Sequence, residues 1–469
     1  MMNSSHLTCP DPSDRPDLWP WSARRRNGVL EIGGLPVPQI VETWGSPIYV
    51  LDEDDLRGRA QTWATAMAEE FWDGYGMGGG SAYYAAKAFM SARAIQIVTE
   101  AGMGVDTASL GELTCALEAG AGPNTVGLHG NNKSDAELRM AIGAGERGIA
   151  RIVIDSPAEV DRIAAVAREL GRRARVMVRV TTGVHAGGHD FIATAHEDQK
   201  FGLSLATGVA KKVALDAASR PELEFIGVHS HIGSQIFDLS AFTESASRLM
   251  KFVRELKDAG ISCPEVDLGG GYAITYTAAD EVPPTQKDVA RSLACAVRDA
   301  CAQFDLEVPH ISIEPGRSTV GPTTITLYRV GTIKHVPIDG GERLYVSVDG
   351  GMSDNIRPAL YGARYAVTLA NRTSDADSSL VRVVGKHCES GDIVIMDAHL
   401  PSDIRPGDIL AVPATGAYGH AMSSNYNMLT RPGTLAVSGG EGHWLIYPET
   451  VSDLLGRDAA LTPKELPST

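Results

Sequence analysis

Short apolar runs alternate with amphipathic segments between about residue 80 and residue 317. In segments such as "LGELTCALEAG" and "SPAEVDRIAAVAREL", apolar residues recur at i, i+3, i+4 and i+7, which is the period of a helix with one buried face. The apolar runs between them are short and typical of strands that are buried on both faces. The pattern predicts eight strands, at residues 83–88, 103–109, 125–130, 151–156, 175–182, 225–233, 265–271 and 310–317.

Eight strands that are each followed by a helix predict a (β/α)8 barrel of the TIM type. A doubly wound open sheet is the alternative, but the number of strands favours closure. After Arg317 the chain changes to strand-like runs separated by Gly, Pro and Asp, which predicts a second, mostly β domain. We therefore expect an N-terminal segment that joins the β domain (1–49), a barrel (50–317) and a C-terminal β domain (318–469).

Three polar stretches lack an apolar period and are predicted to be disordered: the two ends of the chain, 1–20 and 458–469, and the link "NRTSDADSS".

Composition narrows the class of protein. The chain is 43% hydrophobic and 21% charged, as is typical of globular proteins, and its net charge of −16 argues against binding to nucleic acid or to an anionic membrane surface. It contains no apolar stretch of membrane-spanning length and no apolar segment typical of a secretory signal near its start. The six cysteines form no CxxC pair, so we expect a cytoplasmic location.

The run "SAYYAAKAFM" places one lysine, Lys87, among apolar and aromatic residues. An ionised ammonium is costly in such a setting, because burial favours the neutral amine. The simple alternative is a lysine at the end of a strand, with its stem packed and its ammonium in water. The neighbouring strand ends decide between the two interpretations.

Polar side chains follow most of the predicted strands. In barrels of this type, the chemistry takes place at the carboxyl ends of the strands. These ends carry, in chain order, Lys87, Asp106, His129, Asp155, Thr181, His229 with His231, Gly269–Gly271, and Glu314 with Arg317.

The triple glycine in "DLGGGY" would let backbone N–H groups approach an anion, although a plain tight turn is equally consistent with it. Ser234, in "HIGSQ", and Arg317, in "EPGR", add further donors. The sequence contains no GxxxxGK[ST], and the triple glycine does not continue as GxGxxG. The strand ends therefore predict a phosphate site that is neither a P-loop nor a dinucleotide fingerprint.

A phosphate site, a lysine on an apolar run and a carboxylate together suggest pyridoxal phosphate. The amine of Lys87 would bind the aldehyde of the cofactor, Glu314 would keep its pyridine nitrogen protonated, and His231 would stack on its ring. A metal pair at His229 and His231 is the alternative. We expect no metal there.

The motifs resemble those of the fold-type III, alanine-racemase-like decarboxylases that use pyridoxal phosphate, and among them the diaminopimelate decarboxylase family of the actinobacterial type. The resemblance spans residues 25–456 in the family's order. It is carried by "YYAAKAF", "GVDTASLGEL", "LHGNNKSDAEL", "HEDQKFG", "VHSHIGSQIFD", "DLGGGY", "EPGR", "DGGMSDNIRPALYGARY", "KHCESGD" and "TGAYGHAMSSNYN".

The resemblance implies a cofactor role for each barrel motif. Lys87 would carry the cofactor, with His231 on its ring and Glu314 at its nitrogen. The resemblance further implies that the phosphate is held by Ser234, Gly269, Gly270, Gly271, Gly316, Arg317 and Tyr418, and that Asp106 and His129 support the cofactor.

The reaction implied is the decarboxylation of meso-2,6-diaminopimelate to L-lysine and CO2, the last step of lysine biosynthesis. Cys388 would lie over the reacting carbon, and either Cys388 or Lys87 would donate the final proton. Cys388 and Glu389 would reach into the partner's site of a homodimer. The distal end of the substrate would be bound by Arg317, Arg357, Tyr361, Glu389 and Tyr418.

Simpler interpretations of these residues stay open. A lone cysteine such as Cys388 is most often a small buried apolar residue. Arg357 and Tyr361 stand four residues apart, and would share one face of a short helix, but they also suit a surface arginine and a packed tyrosine.

Other activities would use similar machinery. A decarboxylase of ornithine, arginine or lysine would need an acidic pocket, which Arg357 and Tyr361 argue against. A racemase would share the barrel and the lysine, but "KHCESGD" favours decarboxylation, and a non-catalytic relative would not need Lys87 with Glu314. The stretches "GAYGHAM" and "VTTGVHAGGHD" depart from the family pattern and would be where preference shifts toward a secondary-metabolic amino acid.

Overall fold

The computed structural model describes residues 7–184, 200–339 and 341–462. The chain forms two compact units. The barrel unit comprises Arg57–Ala273 and Pro283–Thr319, and the β unit comprises Met1–Leu56, Ile274–Val282 and Val320–Thr469. These boundaries differ from the expected segments by a few residues, and 274–282 returns to the β unit.

Some sequence features fall outside the described residues. The motif "HEDQKFG" and the stretch "VTTGVHAGGHD" are described only in part, and so are the two ends of the chain.

The secondary structure comprises strands and helices that we number in chain order. The strands are β1 (Arg24–Arg26), β2 (Val29–Ile32), β3 (Leu35–Pro36), β4 (Ile48–Asp52), β5 (Gly80–Ala85), β6 (Gly104–Thr107), β7 (Val126–Leu128), β8 (Arg151–Ile154), β9 (Ala174–Thr181), β10 (Leu203–Ser204), β11 (Leu223–His229), β12 (Glu265–Asp267), β13 (His310–Ile313), β14 (Thr324–Ile338), β15 (Gly341–Val348), β16 (Thr368–Leu369), β17 (Ser378–Val384), β18 (Ile393–Pro401), β19 (Ile409–Val412), β20 (Thr434–Ser438) and β21 (Glu441–Ile446). The helices are α1 (Val37–Trp44), α2 (Glu53–Glu70), α3 (Ala92–Glu100), α4 (Leu110–Glu118), α5 (Asp135–Gly143), α6 (Pro157–Glu169), α7 (Val209–Ser219), α8 (Ser240–Asp258), α9 (Gln286–Gln303), α10 (Arg317–Val320), α11 (Arg357–Tyr361) and α12 (Val451–Leu455).

The barrel unit is a closed parallel barrel, as predicted. Its strands run in the order β5-β6-β7-β8-β9-β11-β12-β13, and β13 pairs with β5 to close the cylinder. All eight predicted strands are present, and the two-residue β10 lies beside β9. The carboxyl ends of these eight strands therefore share one mouth, which is where the sequence placed the candidate chemistry.

Helices around the barrel begin at side-chain caps. Ser91, Ser109 and Ser134 each accept a hydrogen bond from the backbone N–H three residues further on, which satisfies a donor that the helix itself cannot. Ser134 also forms a capping box with Glu137. The two helices predicted from the apolar period of "LGELTCALEAG" and "SPAEVDRIAAVAREL" are present as α4 and α6, each with one buried face.

The β unit is built around a large mixed sheet. Its strands run in the order β18-β17-β15-β14-β4-β20-β21, and β19 pairs with β14 and β16. β4, from the segment before the barrel, lies between β14 and β20. Its core contains buried apolar residues from before and after the barrel, such as Trp19, Ile48 and Val346.

Two stretches that the sequence suggested to be disordered are packed in the described residues, so that prediction is wrong for them. Trp19 is 1% exposed, and nearby Arg15 pairs with Asp17 at 2.9 Å. In the link, Arg372 binds Asp408 at 2.8 Å and also pairs with Asp403. The arginines of both stretches form ion pairs, which a polar composition alone does not reveal.

No helix within the described ranges has both the length and the apolar character needed to cross a membrane.

Candidate active site

Lys87 lies in a one-turn 3₁₀ helix, Ala86–Ala88, directly after β5. The predicted strand ran to residue 88, but the structure ends it at Ala85. The flanking alanines are buried and Lys87 is exposed, and its ammonium has no hydrogen bond or ion pair among the described residues. Its charge acts on His231, whose pKa it helps to lower. The amine is thus available at the mouth of the barrel.

Glu314 follows β13 and is 8% exposed. Its Oε1 lies 3.2 Å from Nε2 of His129 and 3.0 Å from Nε2 of His229. These two imidazoles come from the ends of β7 and β11 and pack edge to face, with ring centroids 5.0 Å apart. The structure therefore brings the predicted residues His129 and Glu314 together and adds His229 to them.

Within this cluster, the carboxylates and His129 each stabilise the charged form of the other. Burial alone would lower the pKa of His129, but the carboxylates of Glu314 and Asp106 outweigh it and raise the pKa to about 9. Burial would raise the pKa of Glu314, but the two histidines outweigh it and hold the pKa well below its usual range. At neutral pH the cluster holds an imidazolium and a carboxylate.

Arg151, at the start of β8, is an interior residue that the sequence analysis missed. It is 1% exposed, and its Nη2 lies 3.1 Å from Asp106 and 2.7 Å from Asp267. Its guanidinium stands 3.7 Å above the ring of Tyr83, a cation–π contact. The only signal in the sequence is a charged residue that opens the apolar run "RIVIDS".

Among the described residues, two groups of side chains have ligand atoms close enough to hold a metal ion: His129 with His229 and Glu314, and Asp106 with Asp267 and Glu314. In the second group, the guanidinium of Arg151 already pairs with both aspartates. The first group differs from the pair considered from the sequence, because His231 is not part of it. Its geometry also suits a protonated ring nitrogen that donates to Glu314.

His231, two residues after His229, is a neutral imidazole. Burial, assisted by the charge of Lys87, lowers the pKa of His231 to about 3, so the ring is neutral. Its Nδ1 accepts a hydrogen bond from the N–H of Gly270 at 3.2 Å, which fixes the orientation of the ring. A neutral, oriented imidazole is suited to stacking on a flat ligand.

The triple glycine is required by backbone packing. A Cβ on Gly269 would stand 2.4 Å from the carbonyl oxygen of Ser230, and one on Gly270 would stand 2.2 Å from that of Glu314. At Gly271 the carbonyl oxygen of Gly233 would be 2.3 Å away. Only glycine lets these three strand-end loops approach so closely.

This packing corrects the expected role of the glycines as a set of anion donors. The N–H of Gly269 donates to Asp267 at 2.7 Å, and that of Gly270 donates to His231. Of the three, the N–H of Gly271 alone has no hydrogen-bond partner among the described residues. Gly270 therefore acts on the site mainly through His231.

Ser234 and Arg317 lie together as predicted, with Nη2 of Arg317 donating to Oγ of Ser234 at 2.8 Å. Gly316, the residue before Arg317, packs against β5, since a Cβ there would lie 2.9 Å from Ala85. A hydroxyl and a guanidinium at one edge of the mouth form a site for an anionic group.

The donor set of the barrel mouth fits pyridoxal phosphate. Lys87 offers an amine with no partner among the described residues, and Glu314 offers a buried, ionised carboxylate for a ring nitrogen. His231 offers a neutral ring, and Ser234 with Arg317 offers donors to a phosphate.

Five predicted residues belong to the β unit. Arg357 opens α11, is 8% exposed and donates to the hydroxyl of Tyr365. Its guanidinium lies 4.9 Å from the ring centroid of Tyr276, another aromatic residue that the sequence analysis missed. Tyr361, on the last turn of α11, is 63% exposed. The predicted helix is present, but its two residues differ strongly in burial.

Cys388 and Glu389 lie in an exposed loop after β17. The simple interpretation of Cys388 as a small buried residue is therefore wrong. The N–H of Cys388 donates to Oδ1 of Asn427 at 3.1 Å. The fifth residue, Tyr418, has a φ of 62°, a left-handed conformation that is uncommon for a bulky side chain and is often found at functional sites.

Comparisons with known proteins agree with this chemistry. Residues 54–321 match the family described as "Pyridoxal-dependent decarboxylase, pyridoxal binding domain". Diaminopimelate decarboxylase of Mycobacterium tuberculosis is 45% identical, covering 94% of this chain and 97% of its own, and that of Bacillus subtilis is 41% identical, covering 93% and 97%. The solved structure of diaminopimelate decarboxylase from M. jannaschii in complex with L-lysine has a TM-score of 0.85 and 32% identity, covering 93% and 97%.

Proposed function

The chain belongs to the diaminopimelate decarboxylases, a family of pyridoxal-dependent enzymes, and we propose that its barrel mouth binds pyridoxal 5′-phosphate on Lys87. Its activity is the decarboxylation of meso-2,6-diaminopimelate to L-lysine and CO2, the last step of lysine biosynthesis. The observation that carries the assignment of Lys87 is an unpaired, exposed amine at the barrel mouth that also holds the buried carboxylate of Glu314.

Pyridoxal phosphate, when bound, withdraws the electron pair that CO2 leaves on the substrate α-carbon. Glu314, kept ionised by His129 and His229, would hold a proton on the ring nitrogen and so sustain this withdrawal. Asp106 supports the arrangement through its contact with His129, at 3.2 Å. His231 would cover one face of the ring as a neutral imidazole.

Ser234 and Arg317 would hold the phosphate by charge-assisted hydrogen bonds, with the N–H of Gly271 and the turn at Gly316 beside them. Gly269 and Gly270 would shape this cradle rather than donate to it, and Tyr418 would add a hydroxyl. Lys87 would release the cofactor to the incoming substrate amine and then hold a proton at Nζ. Either Nζ of Lys87 or Sγ of Cys388 would return the proton to the α-carbon.

Substrate selection needs both signs of charge, because diaminopimelate carries a carboxylate and an ammonium at its distal end. Arg357 presents a planar guanidinium, which binds a carboxylate in a bidentate manner, and Tyr361 and Arg317 would assist it. Glu389 presents a carboxylate for the ammonium. Ornithine, arginine and lysine lack the distal carboxylate and would leave the guanidinium of Arg357 unpaired, at a cost of several kcal/mol.

The assignment is tested by supplying the cofactor-loaded protein with meso-diaminopimelate, lysine, ornithine or arginine and measuring the CO2 released from each. We expect release from diaminopimelate alone. Faster release from one of the other three amino acids would contradict the proposed roles of Arg357 and Glu389.

We also propose that the enzyme acts in the cytoplasm as a homodimer in which Cys388 and Glu389 serve the partner's site. Cys388, Glu389 and Tyr361 are exposed in the single chain, as residues that meet a second subunit would be. Mixing the inactive variant Lys87→Ala with the slowed variant Cys388→Ala after mild dissociation would recover activity above that of either variant alone, because one hybrid site contains neither substitution. Absence of recovery in a verified hybrid dimer would contradict shared sites.

A further inference from the structure

The loop that carries Cys388 and Glu389 is braced by one neighbouring turn, Tyr426–Met428, in the same unit. The N–H of Cys388 donates to Oδ1 of Asn427 at 3.1 Å. The hydroxyl of Tyr426 donates to Oε2 of Glu389 at 3.3 Å. Adjacent residues of the turn thus contact the two adjacent residues of the loop.

The turn is fixed from its far side. Asn425 donates to Oε2 of Glu449 at 2.6 Å, and Nε of Arg431 donates to Oε1 of the same carboxylate at 2.8 Å. Burial would raise the pKa of Glu449, but these bonds outweigh it and lower the pKa to about 2. A single ionised carboxylate therefore ties together the residues on either side of the turn.

The backbone of the turn is specialised as well. Asn427 has φ 54° and ψ 25°, a left-handed conformation that asparagine tolerates better than most residues. In this conformation, the Oδ1 of Asn427 accepts the hydrogen bond from the N–H of Cys388. The loop and the turn meet at this hydrogen bond.

The loop also contains a buried residue, His387, that contacts the turn. The side chain of His387 is fully buried, its Nδ1 lies 3.0 Å from Oδ2 of Asp392, and its ring stacks on Tyr426 at 5.6 Å between centroids and 5° between planes. Asp392 also accepts from the N–H of Met352 at 2.6 Å. The ring of Tyr426 therefore rests on a rigid base, which directs its hydroxyl toward Glu389.

Glu389 is oriented by more than one donor. Its Oε1 accepts from the N–H of Gly391 at 3.2 Å, while Oε2 accepts from Tyr426. The bond from Gly391, with further hydrogen bonds from Ser390 and Tyr426, lowers the pKa of Glu389. The carboxylate is thus held ionised and in one orientation, which suits recognition of an ammonium group.

These contacts contribute little to stability, because they end on exposed side chains, where hydrogen bonds and charges compete with water. Their effect is on geometry. We propose that Asn427 and Tyr426 are positioning residues for the decarboxylation, Asn427 by fixing the backbone of Cys388 and Tyr426 by fixing the carboxylate of Glu389. This inference rests on the proposed roles of Cys388 and Glu389.

Three variants of the turn separate the hydrogen bond from the backbone conformation. Asn427→Gly keeps the left-handed conformation and removes the acceptor, whereas Asn427→Asp tolerates the same conformation and keeps an acceptor oxygen. Met428→Gly is the matched control, because Met428 is exposed and its φ of 59° is also left-handed. The readouts, on the cofactor-loaded enzyme, are hydrogen–deuterium exchange across residues 386–392, cofactor content, kcat and KM.

In Asn427→Gly we expect exchange at the Cys388 amide to rise about three- to tenfold. We expect kcat to fall about tenfold, because small misplacements of a reacting group are costly, with cofactor content unchanged. In Asn427→Asp, we expect the exchange rate of the Cys388 amide and kcat to return to those of the parent. In Met428→Gly, both should equal those of the parent. Unchanged exchange in Asn427→Gly, or equal losses in Asn427→Gly and Asn427→Asp, would overturn the inference.

Tyr426→Phe tests the hydrogen bond between the turn and Glu389, since it keeps the stacking on His387 and removes the hydroxyl. We expect KM for diaminopimelate to rise about two- to tenfold with little change in kcat. An unchanged KM would overturn the role of Tyr426.

Cys388→Ala, measured in parallel, separates this inference from the function it rests on. An unchanged kcat in Cys388→Ala would overturn the proposed role of Cys388, and with it that of Asn427. A slowed Cys388→Ala together with an unchanged kcat in Asn427→Gly would overturn the inference alone.

Discussion

Oε1 of Glu314 lies 3.2 Å from Nε2 of His129 inside the mouth of the barrel. Each group favours the charged form of the other, so a carboxylate and an imidazolium coexist where burial alone would neutralise both. In the proposed function, the carboxylate of Glu314 would supply the negative charge that a protonated pyridine nitrogen needs. It also makes the protonation of His129 a measurable property of the fold.

Stability should fall as pH rises through the titration of His129. Its pKa is about 9 in the folded protein against 6.5 for an unperturbed histidine, so between these values the folded state holds a proton that the unfolded state has lost. The free energy of unfolding therefore decreases with pH across this window. Chemical denaturation of the cofactor-free protein between pH 6.5 and pH 9 measures the slope.

His129→Gln should flatten that slope. His335→Gln is the control, because His335 pairs with Glu342 at 2.9 Å on an exposed strand. A slope that survives His129→Gln would contradict the buried pair.

Lys133→Met should destabilise the barrel by about 3–5 kcal/mol, because it leaves Glu159 buried and unpaired. The ammonium of Lys133 is 3.1 Å from Oε1 of Glu159 and also donates to the carbonyl oxygen of Gly130, next to His129. Urea denaturation measures the loss. Lys257→Met is the control for an exposed lysine, and a loss no larger than that of this control would contradict the prediction.

Arg357→Lys should raise KM for diaminopimelate about 10- to 100-fold, since a lysine keeps the charge but not the bidentate fork. Cofactor content should not change, and kcat should change less than KM. Steady-state kinetics measure the effect. Arg364→Lys, an exposed arginine of the same region, should match the parent. A KM equal to the parent's would mean that another group binds the distal carboxylate.

Gly270→Ala should weaken cofactor binding, because the new Cβ would stand 2.2 Å from the carbonyl oxygen of Glu314 and must displace that loop. Equilibrium dialysis against pyridoxal phosphate measures the affinity. Gly143→Ala is the control, because no atom lies within 4 Å of its Cβ position. Equal affinities in the two variants would contradict the role of the glycine packing.

The eight barrel strands could be predicted because each is a short apolar run beside an amphipathic helix, a local pattern. The residues at the strand ends followed from that count and from the rule that such ends share one mouth. Glu314 and His129 could thus be brought together without any structure.

The sequence could not predict which groups the buried polar residues contact. Arg151 reads as an ordinary charged residue at the start of a strand, and its contacts with Asp106 and Asp267 depend on closure of the barrel. The glycine amides were assigned to an anion because a sequence shows the absence of a Cβ but not which acceptor an N–H meets. Tyr276, whose ring lies beside the guanidinium of Arg357, likewise belongs to a distant segment.

The covalent attachment of the cofactor to Lys87 is tested most directly by reduction with borohydride followed by peptide mass spectrometry. The cofactor-loaded protein should gain one pyridoxyl group on the peptide that contains Lys87, and Lys87→Ala should gain none, while Lys212→Ala, an exposed lysine on α7, should label as the parent does. A pyridoxyl group on a different lysine, or undiminished labelling of Lys87→Ala, would contradict the account.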